Sequence, residues 1–187
     1  TLTLSSQQTY SGITYVDAGV LKVADTNVLP RGSGKGVVSI MSGAALDANN
    51  LHLMVGGLGG AGLVTNSAGG LRNLYVGENN VTSVYSGVID PALSLVKIGA
   101  GKQTLAGTNG SLVQASALAG SLELAGPVTV AGNVSVADGA TLIVSDAVAG
   151  LSGEFFDLTA TPVTANFVSL SAINAFLTGK TPALTVN

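Results

Sequence analysis

The chain has 187 residues, seven basic and ten acidic side chains, a formal net charge of −3, 26 glycines and no cysteine or tryptophan. An apolar share of 47% is ample for one core, while charged residues at 9% fall far below the roughly 25% of ordinary globular domains. Singly scattered basic residues argue against nucleic acid or an anionic membrane surface as partner, no apolar run approaches the ~18 residues of a bilayer span, and the absence of Cys excludes disulfides and thiolate metal sites.

From the N-terminus, apolar residues fall in short alternating bursts, first Leu2 and Leu4, then Val16, Leu21 and Val23. A period of two predicts strands with one buried face. Asp17-Ala18-Gly19 opens the strand Val20-Leu21-Lys22-Val23, and the same grammar of acidic or small residue, glycine and strand recurs at 119–124 and 138–144. Arg31-Gly32-Ser33-Gly34-Lys35-Gly36 is similar to a phosphate loop but lacks the hydroxyl residue after the lysine, and is read as an exposed turn or insertion. Leu51, Leu53 and Val55 form the next burst. His52, the only imidazole, sits between two of them and is expected to point away from the core; any Ser-His-Asp triad would depend on it alone.

Gly57-Leu58-Gly59-Gly60-Ala61-Gly62 matches the dinucleotide fingerprint, follows a predicted strand and has Glu78 about twenty residues on. The helix that fingerprint requires is missing, because Thr65, Asn66, Ser67, Gly69 and Gly70 are poor helix formers, so a solenoid turn is predicted. Residues 56–62 contain no acid, which argues against a calcium-binding β-roll, and 71–79 fits a leucine-rich repeat once without recurring. The bursts continue at Leu74 and Val76, Val84 and Val88, Leu112, Leu122 and Leu124, Val128 and Val130, Val134 and Val136, and Leu142 and Val144, separated by glycines beside Asn, Asp or Ser.

Such strand-and-glycine repetition is the signature of a β-solenoid. A coil of about 20 residues cannot bury its own apolar side chains, whereas stacking at ~4.8 Å gives each coil a partner above and below. At that length the chain predicts roughly eight or nine coils, with Thr, Ser and Asn ladders outside, where like charges would repel. The last forty residues hold all four Phe, and 171–177 predicts a short helix ended by Gly179 with Pro182 beyond. The expected division is a solenoid over 1–150 and a C-terminal cap over 151–187.

The carboxylates are dispersed. Only Glu154 and Asp157 among them are singled out as close, and odd spacing on a strand puts them on opposite faces. No catalytic, cofactor-binding or metal-ligating residue is assigned, and no cofactor is expected. Asn80, Asn109 and Asn133 begin Asn-x-Ser/Thr sequons of the kind short polar turns generate by chance.

Val55–Asn66, Leu74–Asn80, Tyr85–Ile89, Leu95–Gly101 and Thr104–Asn109, taken in order, resemble the autotransporter-associated β-strand repeat, also called the passenger-associated transport repeat. Leu2–Ser5, Thr9–Gly12 and Asp17–Val23 look like the second half of another copy; after Gly107 the family's Asn-Thr-Tyr-Ser-Gly is replaced by Thr108-Asn109-Gly110. The resemblance implies a right-handed parallel β-helix, carried by large exported or surface proteins of Gram-negative-type bacteria, in which the repeat is a scaffold without catalytic residues.

The resulting expectation is an all-β, noncatalytic stalk, fibre or surface-layer element, extracellular or at the cell surface, supporting adhesion. The alternatives are a β-helical polysaccharide-active enzyme or a carbohydrate-binding module. Because the first coil starts in mid-repeat, the partners expected are copies of the chain or flanking segments of a larger parent, packed end to end, with a host or environmental glycan surface as a further candidate. Neither nucleic acid nor membrane insertion is expected.

Overall fold

The computed structural model describes residues 1–107 and 111–144, together with the strands Ser152–Glu154, Val163–Phe167 and Leu184–Val186. It is an all-β solenoid of about seven turns, with no helix among the described residues. Each coil contributes strands to three faces. The first face stacks β2 (Thr14–Val16), β4 (Val38–Ile40), β7 (Leu58–Gly60), β10 (Ser83–Tyr85), β13 (Lys102–Leu105), β16 (Ser121–Leu124), β19 (Thr141–Val144) and β22 (Leu184–Val186). The second stacks β1 (Leu2–Leu4), β3 (Val20–Val23), β5 (Ala45–Asp47), β8 (Leu63–Thr65) and β11 (Val88–Ile89), and its place in chain order is later taken by the pair β14 (Ser111–Leu112) and β17 (Thr129–Val130). The third carries β6 (Leu53–Val55), β9 (Arg72–Val76), β12 (Leu93–Lys97), β15 (Ala115–Ala117) and β18 (Val134–Val136).

Pairing is parallel throughout these faces, because every coil repeats the direction of the one before it. Parallel register stacks identical parities into continuous interior rows, which is why short alternating bursts suffice to form one core. On the second face the row runs Leu2, Leu21, Leu46, Val64, Ile89, and on the third Leu53, Leu74, Leu95, Ala115, Val134. Apart from Leu2, which lies at the open end of its row and is 63% exposed, these residues are buried.

Register partners on the first face lie 24, 20, 25, 20, 19 and 20 residues apart, in the pairs Thr14 with Val38, Val38 with Leu58, Gly60 with Tyr85, Tyr85 with Leu105, Leu105 with Leu124, and Leu124 with Val144. The next step, from Val144 to Val186, takes 42 residues. Two long coils and this excursion reduce the expected eight or nine coils to about seven. Past β18 the stacking direction also changes: β21 (Val163–Phe167) pairs with β18 antiparallel, and β20 (Ser152–Glu154) with β21 likewise. The helix expected over 171–177 lies outside the described residues.

The alternation places Leu53, Val55, Leu74, Val76, Leu122, Leu124, Leu142 and Val144 inside, as expected. At 84–89 the parity is the reverse of the expected one: Tyr85 and Ile89 are fully buried, while Val84 and Val88 are 54% and 39% exposed. The burst is apolar in both parities. The choice falls to Tyr85, whose hydroxyl donates to the carbonyls of Gly62 at 2.8 Å and Val88 at 3.0 Å, satisfying inside the stack a group that would otherwise be costly to bury. On the outer surface Ser135 Oγ donates to Ser116 Oγ at 2.8 Å, one of the expected hydroxyl ladders. Opposite charges also meet across coils, with Lys22 3.5 Å from Asp47 and Lys102 2.7 Å from Glu123.

Candidate functional site

The residues flagged by the sequence are distributed around the coil corners rather than gathered into one pocket. The fingerprint segment 57–62 runs from the end of a corner through β7 to the turn before β8, so a strand, not a helix, follows it. A Cβ on Gly62 would meet the carbonyl oxygens of Met41 at 2.5 Å and Ala44 at 2.7 Å. The glycine permits close stacking on the preceding coil, which accounts for the motif without a ligand.

In the loop resembling a phosphate site, both cations are engaged within the protein. Arg31 Nη1 donates to Glu78 Oε1 at 2.8 Å and Oε2 at 2.6 Å, its Nη2 donates to Asn27 Oδ1 at 2.7 Å, and Lys35 Nζ donates to the Thr9 carbonyl at 2.7 Å.

His52 is exposed immediately before β6, on the outer surface as expected. Its Nδ1 accepts the backbone N–H of Asn73 at 3.1 Å, and its ring stands edge-on to Tyr75 with centroids 6.3 Å apart. Asn73 Nδ2 in turn donates to the Tyr75 hydroxyl at 2.9 Å. An amide, a phenol and an imidazole fix the orientation of one another, and no carboxylate or serine hydroxyl is among these contacts. Glu154 falls in β20, and Asp157 and Asn109 lie outside the described residues.

Asp47, Asp90 and Glu123 each bond a neighbouring coil. Burial alone would raise Asp47, but the Ser67 hydroxyl at 2.6 Å, the N–H groups of Asn49 and Ser67, and the Lys22 charge outweigh it and hold the acid below its ordinary value. Glu123 is likewise held low by Lys102 and Thr104, each donating to it at 2.7 Å. Asp90 accepts from Thr65 Oγ1 at 2.9 Å and from the Ala92 N–H at 2.8 Å. Among the described residues no group of three or more His, Cys, Asp or Glu could hold a metal ion.

One ionisable group was not singled out by the sequence reading. Lys97 occupies the interior row Val55, Val76, Lys97, Ala117, Val136, and is fully buried. Its parity with Leu93 and Leu95 was the available signal. The small Ala117 follows it in the row, and Nζ donates to the carbonyls of Ile98 at 2.6 Å, Gly99 at 2.7 Å and Ala119 at 3.2 Å, capping the corner between β12 and β13 and that of the next coil. Burial pushes the amine down from 10.5 to about 8. The unfolded chain keeps this proton to about pH 10.4 whereas the folded chain releases it near 8, so unfolding takes up a proton in that window and stability rises with pH. The wild type should gain roughly 1.5 kcal/mol between pH 8 and 9.5 relative to Lys97→Met, read by urea unfolding at the two pH values.

The fold and its corners define a parallel β-solenoid whose polar groups chiefly knit one coil to another. The passenger-associated-transport-repeat family matches residues 1–23, which contain β1 to β3, and residues 95–111, which run from within β12 through β13 to the start of β14. The chain thus carries stretches similar to the passenger-associated transport repeat over those two segments. Over 125 residues it is 31% identical to the adhesin BmaC autotransporter of Brucella suis biovar 1 (strain 1330), an alignment covering 65% of this chain and 4% of that relative. No solved structure matches it.

Proposed function

We propose that the chain is a noncatalytic structural segment of an exported passenger at the surface of a Gram-negative bacterium, holding adhesive surface away from the cell. The observation that carries this reading is the set of stacked interior rows, together with a histidine, carboxylates and cations that are tied into coil-to-coil contacts. The relative's name, an adhesin autotransporter, supports the surface setting and the adhesive purpose.

The edge strands of the first coil support an end-to-end partner. β1 and β2 each pair on one side only, and Leu2 at the open end of its row is 63% exposed. An edge of this kind accepts a further strand through main-chain bonds. Either a flanking segment of a longer chain or a second copy meets that need; most of the cap expected over 151–187 lies outside the described residues.

The Leu4 carbonyl turns toward β3, accepting from the Ala24 N–H at 2.8 Å, so by alternation the Thr3 N–H faces the open side. Thr3→Pro therefore removes an outward donor while sparing the existing ladder. Light scattering coupled to size exclusion should show the wild type associating with rising concentration and Thr3→Pro associating less. A wild type that stays monomeric at high concentration contradicts end-to-end packing, and release of reducing ends from a polysaccharide panel contradicts the noncatalytic reading.

A further inference from the structure

The corners leading from the third face to the first differ sharply in length. Between β6 and β7 only Gly56 and Gly57 intervene, whereas residues 77–82 separate β9 from β10, and the coil before runs through the loop 24–37 to reach β4. The two-glycine corner is therefore recessed. A Cβ on Gly56 would lie 2.9 Å from the Gly36 carbonyl of the coil before and 3.2 Å from Asn79 Cβ of the coil after. One on Gly57 would lie 2.9 Å from Val37 Cγ1 and 3.1 Å from Ser83 Oγ. Across this recess the flanking coils meet each other directly: Arg31 pairs with Glu78, and Asn79 Nδ2 donates to the Lys35 carbonyl at 3.2 Å.

The recess recurs on the first face. β7 and β10 share a single register pair, Gly60 with Tyr85, leaving Leu58 without a strand partner on that side. The Gln103 side chain, fully buried and 45 residues away, supplies the missing rung. Its Oε1 accepts the Leu58 N–H at 3.1 Å and its Nε2 donates to the Leu58 carbonyl at 3.0 Å, while Ser83 Oγ donates to the same Oε1 at 2.7 Å.

Coils of a solenoid ordinarily contact only their immediate neighbours, so each can open from an end nearly on its own. We propose that the bonds Arg31 to Glu78, Lys35 to Asn79 and Leu58 to Gln103 form a clamp across non-adjacent coils that makes β4, β7, β10 and β13 open as one unit.

Native-state hydrogen exchange on the full 187-residue chain, followed by mass spectrometry at increasing sub-denaturing urea, tests this. Amides of these four strands should show protection within about twofold and one shared urea dependence. In Glu78→Gln combined with Gln103→Met, the protection of β4 should separate from that of β10 by tenfold or more; Glu78→Gln alone, at a partly exposed site, should give a smaller separation in the same direction. Leu74→Ala, a core change in the same coils, should lower all four together. Graded protection along the strands of the wild type, or a Glu78→Gln and Gln103→Met double variant that lowers all four strands equally, would overturn the clamp.

Discussion

Leu122→Asp should be the most damaging of the single changes considered, costing on the order of 4–5 kcal/mol at pH 7 by urea unfolding. Leu122 is fully buried, with Gln103 and Leu142 as its register partners in the interior row of the first face. The substitution removes a large apolar side chain from a closed row and places a carboxylate where no water reaches it. Burial raises the pKa of the introduced acid, so the folded state holds the proton longer than the unfolded one. Stability is therefore lost as pH rises above about 4, and the penalty should be smaller at pH 4 than at pH 7. An unaltered melting curve at pH 7 would mean that β16 presents its other face to the core.

Gly87→Ala is expected to cost about 3 kcal/mol, a drop of roughly 10 °C in melting temperature, although it adds one methyl group. The new Cβ would lie 2.1 Å from the Gly62 carbonyl oxygen and 2.6 Å from the Tyr85 hydroxyl. That carbonyl accepts both the Tyr85 hydroxyl and the Val88 N–H at 3.0 Å, so the coils cannot move apart to relieve the clash without loosening two hydrogen bonds. The comparison is Gly43→Ala. Gly43 has φ +83° but nothing within 4 Å of its would-be Cβ, so only left-handed backbone strain of about 1 kcal/mol applies. Equal melting temperatures for the two variants would show that the stack yields at Gly87.

The strands and their parallel stacking were legible because period two and glycine turns are local properties. Burial at Leu53, Leu74, Leu122 and Leu142 needs no knowledge of neighbours. Parity at 84–89 was not legible, since Val84 and Val88 are as apolar as Ile89, and what decides is a hydrogen bond from Tyr85 to the coil before. Coil count was overestimated because lengthened coils follow β3 and β7 without any change in the alternation itself. Sequence correctly placed His52 outside, yet passed over Lys97 and Gln103, whose partners lie in backbone brought near only by stacking. Polar residues at interior parity were the trace they left.

The uneven coil lengths also bear on how such a chain can be rearranged. From Tyr85 onward, steps of 20, 19 and 20 residues make successive coils close to interchangeable, so one can be duplicated or excised while the rows on either side still meet. Earlier in the chain the coil is not the heritable module. Removing residues 38–57 would bring β7 to the place of β4, but it would also delete the recessed corner over which Arg31 reaches Glu78 and shift every contact spanning it. Recombination in that region preserves the structure only when it moves the block from Arg31 to Gln103 whole.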